Sequence, residues 1–219
     1  MTKPTISTQG EPGEDLPESP VFQGLSRYEI RSQLSEISFY LCGEIQASHF
    51  YTNLFYTLRS ASETDIIYLH LNTIGGDFDT GMQIINNMQS SCAHVITVLE
   101  ARAYSMGALI FLAGDELEVQ DNCQLMFHIY SGTFAGRGTE QQAQIQAVSS
   151  WFEKVMQRIC QPFLSTAEVD KVLKGADVWM DSDEIRRRLS RLQRAPAKPA
   201  APRRARKDTL APPDSEAAS

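Results

Sequence analysis

The chain has 219 residues, 42% hydrophobic and 21% charged, with a formal net charge of −7. That is enough material for one sizeable core, while the longest apolar run, Met106 to Leu112, is far too short to span a bilayer. Four scattered cysteines (Cys42, Cys92, Cys123, Cys160) without C-x-x-C spacing and four histidines spread from 49 to 128 argue against zinc and predict reduced thiols in a cytoplasmic setting, with no metal or cofactor.

Residues 1–24 are rich in Pro, Gly, Ser, Thr and acid without periodicity and are expected to be a disordered arm. They begin M-T-K-P-T-I-S-T-Q-G, which has no apolar stretch of the secretory type. One folded domain is expected over 25–190. Its first strand is I-S-F-Y-L-C (37–42), followed by helical apolar spacing over 46–60 and a second strand, I-I-Y-L-H-L (66–71). The turn T-I-G-G-D (73–77) leads into a helix over 79–90; neither phosphate-loop spacing of glycines is present. V-I-T-V-L (95–99) is a third strand, M-G-A-L-I-F-L-A-G starts a buried helix, and short strands are expected at 116–119 and 124–129. This β-α-β-α order predicts parallel strands with helices packed on them.

The longest helical pattern is 138–161, where Ile145, Val148, Phe152, Val155 and Ile159 recur at helical spacing. Such a stripe on a long helix suits packing against another chain, or against its own domain. From about 191 the sequence becomes low-complexity. Residues 186–219 carry ten Lys/Arg against three Asp/Glu, and the remainder ten against twenty-four. Lacking aromatics, this basic tail (191–219) is read as a solvated segment leaning on its own acidic body; nucleic acid is not an expected partner.

Ser105, in A-R-A-Y-S-M-G-A, stands at the first turn of the buried helix. A hydroxyl there is either an N-cap or a nucleophile beside the free N–H groups and positive dipole of a helix start. A nucleophilic serine needs a base and a carboxylate to orient it. His49, His70 and His94 each have a packing or surface reading, whereas His128 ends the apolar strand Q-L-M-F-H where reactive side chains collect. Asp177 lies between apolar runs in G-A-D-V-W-M, unlike Asp170, Asp181 and Asp183, which look solvated or capping.

Five segments together resemble the ClpP family, the proteolytic subunits of the Clp protease, from about Leu25 to Glu184. They are S-R-Y-E-I-R-S-Q-L (26–34), L-N-T-I-G-G-D-F-D-T-G-M (71–82), A-Y-S-M-G-A (103–108), M-F-H (126–128) and D-V-W-M-D-S-D-E (177–184). The resemblance implies an α/β fold, a ClpP/crotonase-like βα superhelix with 138–161 as a projecting handle helix. It implies serine endopeptidase activity with Ser105 as nucleophile, His128 as base, Asp177 as orienter, and an oxyanion hole from the N–H groups of Gly76 and Met106. It further implies stacked heptameric rings enclosing the sites, protein or peptide substrates, and a partner AAA+ unfoldase of the Clp type. Positions aligned with that unfoldase's aromatic sockets are His70, Ser90 and Glu118, which predicts weak docking.

The chain departs from the family pattern at Ile74, where proline is usual, and at Ile129 and Tyr130, where Gln-Pro is usual. These departures are expected to loosen the substrate groove without touching the triad. The alternatives are a phage-type head-maturation protease, a weakly active scaffold subunit, and a crotonase-type acyl-CoA enzyme using only the Gly76 amide.

Overall fold

The computed structural model describes residues 34–194; the expected arm, the entry segment 26–33 and the tail beyond 194 lie outside the described residues. β1 (Glu36–Ile45) leads through a short 3-10 turn to α1 (Thr52–Ser60), β2 (Ile66–Gly76), α2 (Phe78–Gln89), β3 (His94–Tyr104) and α3 (Met106–Leu112). The short strands β4 (Glu116–Val119) and β5 (Gln124–Phe127) follow, then α4 (Gly138–Cys160), α5 (Thr166–Leu173), β6 (Val178–Asp181) and α6 (Ser182–Arg194).

The strands form one sheet in the order β1-β2-β3-β5-β6, with β4 pairing the first half of β3. All pairings are parallel except β5 with β6. This is the α/β architecture expected from the alternation of strand and helix patterns. β2 and β3 run five residues further than the apolar runs that signalled them, because polar and small residues near the turns still pair. The register slips between Gly43 and Glu44 and between Leu71 and Thr73, so the strands reach the Gly-Gly turn and Tyr104.

Alternation along β2 buries Ile67, Leu69, Leu71 and Thr73 on one face, where they join Ile84, Ile85, Met88, Leu109, Ile110 and Phe111 from the helices in the main core. Burying such side chains supplies about 1.5–3 kcal/mol each, the main favourable term of folding. Ile96 and Val98 are also buried but stand outside that core, on the opposite face of the sheet.

The apolar stripe of α4 divides. Phe152 and Val155 are buried against this chain's own core, together with Met156 and Cys160, whereas Ile145 is 45% exposed. Phe152 meets Phe78 and Tyr130 in ring contacts with centroids 5.9 Å and 5.3 Å apart. Of the two readings open for the stripe, packing on its own domain holds for the second half. Periodicity gives the same stripe in either case.

α6 extends four residues past the expected domain boundary. Ile185 is buried, and Leu189 and Leu192 pack against the core. Arg188 grips Glu168 with two guanidinium nitrogens, at 2.9 Å and 2.7 Å, and Glu184 with Nε at 2.7 Å, joining α6 to α5. Arg188 holds the Glu168 carboxyl down at about 2, with hydrogen bonds from Ser165 assisting.

Two predictions follow from this packing. A carboxylate whose folded pKa is depressed contributes stability above its usual value, lost as pH falls toward the folded value. Glu168→Gln should thus flatten the acid limb of a pH–stability curve between the ordinary carboxylate value of 4.5 and about 2, read by urea unfolding. Phe152→Asp should cost at least about 3 kcal/mol in subunit stability by buried charge and lost packing. Ile145→Asp, on the exposed half, should stay within about 0.5 kcal/mol in the same urea assay.

Candidate active site

Two strand-to-helix turns lie side by side at one end of the sheet. In the first, the Thr73 hydroxyl donates to the Gly43 carbonyl at 2.6 Å and accepts from the Gly75 N–H at 3.1 Å. The Asp77 side chain then caps α2 by accepting from the Thr80 N–H at 2.7 Å. Polar side chains thus hold the Gly-Gly turn in shape. Thr73 is fully buried, and its part in the turn was not signalled by sequence, where it reads as an ordinary strand threonine.

In the second turn, Ser105 joins β3 to α3 with φ 55° and ψ −121°. Among the described residues it shares positive φ only with Asn122, apart from glycines. A non-glycine residue held there costs on the order of 1–3 kcal/mol, and such strain concentrates at functional positions. The Ser105 N–H donates to the Met126 carbonyl at 2.9 Å, prolonging the β3–β5 pairing by one step. Its hydroxyl makes no capping bond to α3, so the capping role open at the level of sequence is not the one observed.

The two turns interlock. Gly75, at φ 89°, has no room for a β-carbon, which would lie 2.7 Å from the Tyr104 carbonyl oxygen and 2.8 Å from Ser105 Cβ. A β-carbon on Gly81 of α2 would overlap the Met106 side chain. Met106 opens α3, so its N–H precedes the first intrahelical bond. Gly76 closes β2 opposite Ile45.

His128 and Asp177 belong to the same end of the sheet. β5 and β6 pair antiparallel up to Phe127 opposite Val178. One further step of that register sets His128 across from Asp177. Since Tyr104 pairs with Met126, Ser105, His128 and Asp177 all stand just beyond paired residues of β3, β5 and β6. His128 is half-buried and Asp177 exposed. Among the described residues no hydrogen bond joins these three side chains.

Sequence reasoning missed β6, four residues of which only Met180 is buried, and the support behind the serine turn. The Tyr104 hydroxyl donates to Gln124 at 2.7 Å, and its ring meets Trp179 edge-on at 5.2 Å, tying β3, β5 and β6 together. Ile129 and Tyr130, the departures after His128, turn toward α4. They line a groove with Ile145, Ser149 and Leu173, and the Tyr130 and Ser149 hydroxyls are hydrogen-bonded at 2.7 Å. This groove begins one residue from His128. Asp181 accepts from the Glu184 N–H at 2.9 Å, the capping role its sequence suggested.

The strain at Ser105 is testable without any activity. Ser105→Gly should raise the thermal midpoint, worth about 1 kcal/mol after the entropy cost of glycine, while Ser105→Ala should leave it nearly unchanged. A glycine variant that melts below the alanine variant would remove the strain.

Residues 23–187 match the family described as Clp protease. The chain is also similar to an ATP-dependent Clp protease proteolytic subunit of Lactococcus lactis subsp. cremoris (strain SK11), 31% identical over 133 residues. That alignment covers 58% of this chain and 66% of the relative.

Proposed function

The chain belongs to the Clp protease family, and from that premise we propose that it is a serine endopeptidase acting through an acyl-enzyme on Ser105. The observation that carries this reading is a serine held at positive φ between a strand and a helix, its hydroxyl spent on no cap, pressed against a Gly-Gly turn. Such a turn exposes the oxygen, and the N–H of the next residue, at a helix start, faces the carbonyl under attack.

In the proposed reaction His128 takes the hydroxyl proton as Ser105 Oγ attacks the scissile carbonyl carbon. The tetrahedral oxyanion accepts hydrogen bonds from the N–H groups of Met106 and Gly76. His128 then gives the proton to the leaving amine, and water, activated by the same imidazole, releases the acyl group. Asp177 orients the imidazole and stabilises its charged form. Free enzymes often hold these groups beyond hydrogen-bond reach and close them on substrate, so the reading asks for no such bond in the unliganded chain. Removing one oxyanion donor typically costs about 10²–10³ in rate.

The handle reading extends to assembly. The exposed Ile145 and the 41% exposed Trp151 on α4 leave apolar surface that stacked heptameric rings would cover. In such a particle, protein or peptide substrates reach enclosed sites, and an AAA+ unfoldase of the Clp type delivers folded ones. Docking to that unfoldase is expected to be weak at His70, Ser90 and Glu118. None of the four cysteines forms a disulfide among the described residues, which suits a cytoplasmic setting. No helix among the described residues is long and apolar enough to cross a membrane.

Ser105→Ala should lower hydrolysis of a short fluorogenic peptide by about 10³–10⁶ in kcat and abolish labelling by a fluorophosphonate. Particle size by light scattering should not change. Turnover that survives in this variant would take the nucleophile's role from Ser105.

A further inference from the structure

The chain just after His128 is tied to α4 by contacts that the proposed reaction does not use. His128 itself stands between two anchored neighbours. Before it, Phe127 is fully buried and paired with Val178 across β5 and β6. After it, Ile129 and Tyr130 pack against the core, and the Tyr130 ring meets Phe152 edge-on with centroids 5.3 Å apart. The Tyr130 and Ser149 hydroxyls are hydrogen-bonded at 2.7 Å. Ser149 and Phe152 are three residues apart on α4 and so lie on one face of it. Ring and hydroxyl therefore grip a single turn of that helix.

Beyond Tyr130 the backbone is loosely surrounded. Residues 131–133 are exposed, a β-carbon on Gly132 would meet nothing within 4 Å, and Gly136 sits at φ 133°. Each residue has only two soft dihedrals, so a fixed Phe127 and a fixed Tyr130 leave the backbone at His128 little freedom. The proline usual at position 130 would lock its own φ. Tyrosine does not, and here the restraint comes from α4 instead. The departure at Tyr130 thus fastens the segment that follows the base.

The other side of the candidate site rests on the same turn of α4. Phe78 opens α2 two residues after Gly76. Its ring centroid lies 5.9 Å from that of Phe152 and, edge-on, 5.0 Å from that of Trp151. Tyr130, Phe152 and Phe78 form a row of rings drawn from three segments far apart in sequence, with the buried Phe152 at its middle. One helical turn thereby spaces the segment after His128 from the segment after the Gly-Gly turn.

We infer that Tyr130 is a positioning residue for His128. Its ring on Phe152 and its hydroxyl on Ser149 set where the imidazole stands relative to Ser105 and the Gly76 amide. The inference rests on the peptidase reading. It differs from a role for Tyr130 as a wall of the neighbouring groove, because a wall acts on substrate binding whereas a positioning residue acts on turnover.

The test joins steady-state kinetics on a short fluorogenic peptide to diethyl pyrocarbonate modification of each histidine, mapped by mass spectrometry on the full chain. Tyr130→Phe, Ser149→Ala and the double variant should each lower kcat about threefold with KM within twofold, since equal losses in single and double variants mark one shared bond. Tyr130→Ala should lower kcat at least twentyfold, again with KM within twofold. In that variant His128 should be modified at least threefold faster relative to His49 and His94, which stand on other elements. A rise in KM at unchanged kcat makes Tyr130 a groove wall and overturns the inference. So does a His128 rate that stays level, or that rises only in step with His49 and His94; this readout needs no activity. Turnover surviving in Ser105→Ala defeats the peptidase reading, whereas a Ser105-dependent enzyme indifferent to Tyr130→Ala defeats this inference alone.

Discussion

Gly75 and Ser105 cannot be moved independently. The space a β-carbon would need at Gly75 is already taken by Ser105 Cβ and the Tyr104 carbonyl, so the two strand-to-helix turns share one close-packed junction. Everything around the candidate site is arranged to keep it closed. Thr73 is buried so that its hydroxyl can brace the Gly-Gly turn. Gly81 lacks a side chain where Met106 enters. The N–H of Ser105 is anchored to β5, the strand that His128 directly follows. Interiors packed this tightly transmit strain instead of absorbing it, which is how a serine is kept in a conformation it would leave if the turns could part.

The two remaining members of the proposed triad are held by longer paths. His128 follows β5 directly, but Asp177 precedes β6 and arrives only after α4 and α5. Its position therefore depends on how α5, β6 and α6 are tied down. Arg188 does this at the far side, binding Glu168 of α5 and Glu184 of α6 while its guanidinium lies 5.8 Å from the Phe163 ring centre. Paired at a partly buried position with good bidentate geometry, such an ion pair counts for more than an isolated surface contact.

What was legible in the sequence follows from which signals are local. Strand alternation, the Gly-Gly turn and the abrupt apolar start at Met106 are local, and the sheet and its helices came out close to their expected positions. The choice between cap and nucleophile at Ser105 was not local, because the same residue serves either role until φ and the hydroxyl's partner are known. The family resemblance favours the nucleophile, and the geometry adds only that the hydroxyl makes no cap bond. Ile145 and Phe152 belong to one apolar stripe in sequence and to different surroundings in space, since a period of 3.6 residues does not say which half of a helix is covered. Residues 191–194 looked like tail because of their arginines, yet Leu189 and Leu192 carry α6 onto the core. His70 read as a mid-strand residue at a position aligned with an unfoldase socket; its stacking with Tyr40 needs the neighbouring strand's register, which no single stretch contains.

The two faces of the sheet thus answer to different constraints. The helix-covered face is close-packed, and its terminal turns store strain at one serine. The opposite face keeps an aromatic stack, exposed at Tyr40 and half-buried at Tyr68 and His70, beside three carboxylates that no core requires, those of Glu100, Glu116 and Glu118. Burying Tyr40 costs little, as it already rests flat on His70, and a partner that brings its own cations meets the carboxylates without leaving a charge unpaired. A neutral apolar ligand would cover the rings but strand Glu100 and Glu118 at its edge. A purely cationic one would leave the rings wet. The face therefore favours a ligand that offers an apolar part to the rings and a cationic part to the carboxylates along one extended backbone.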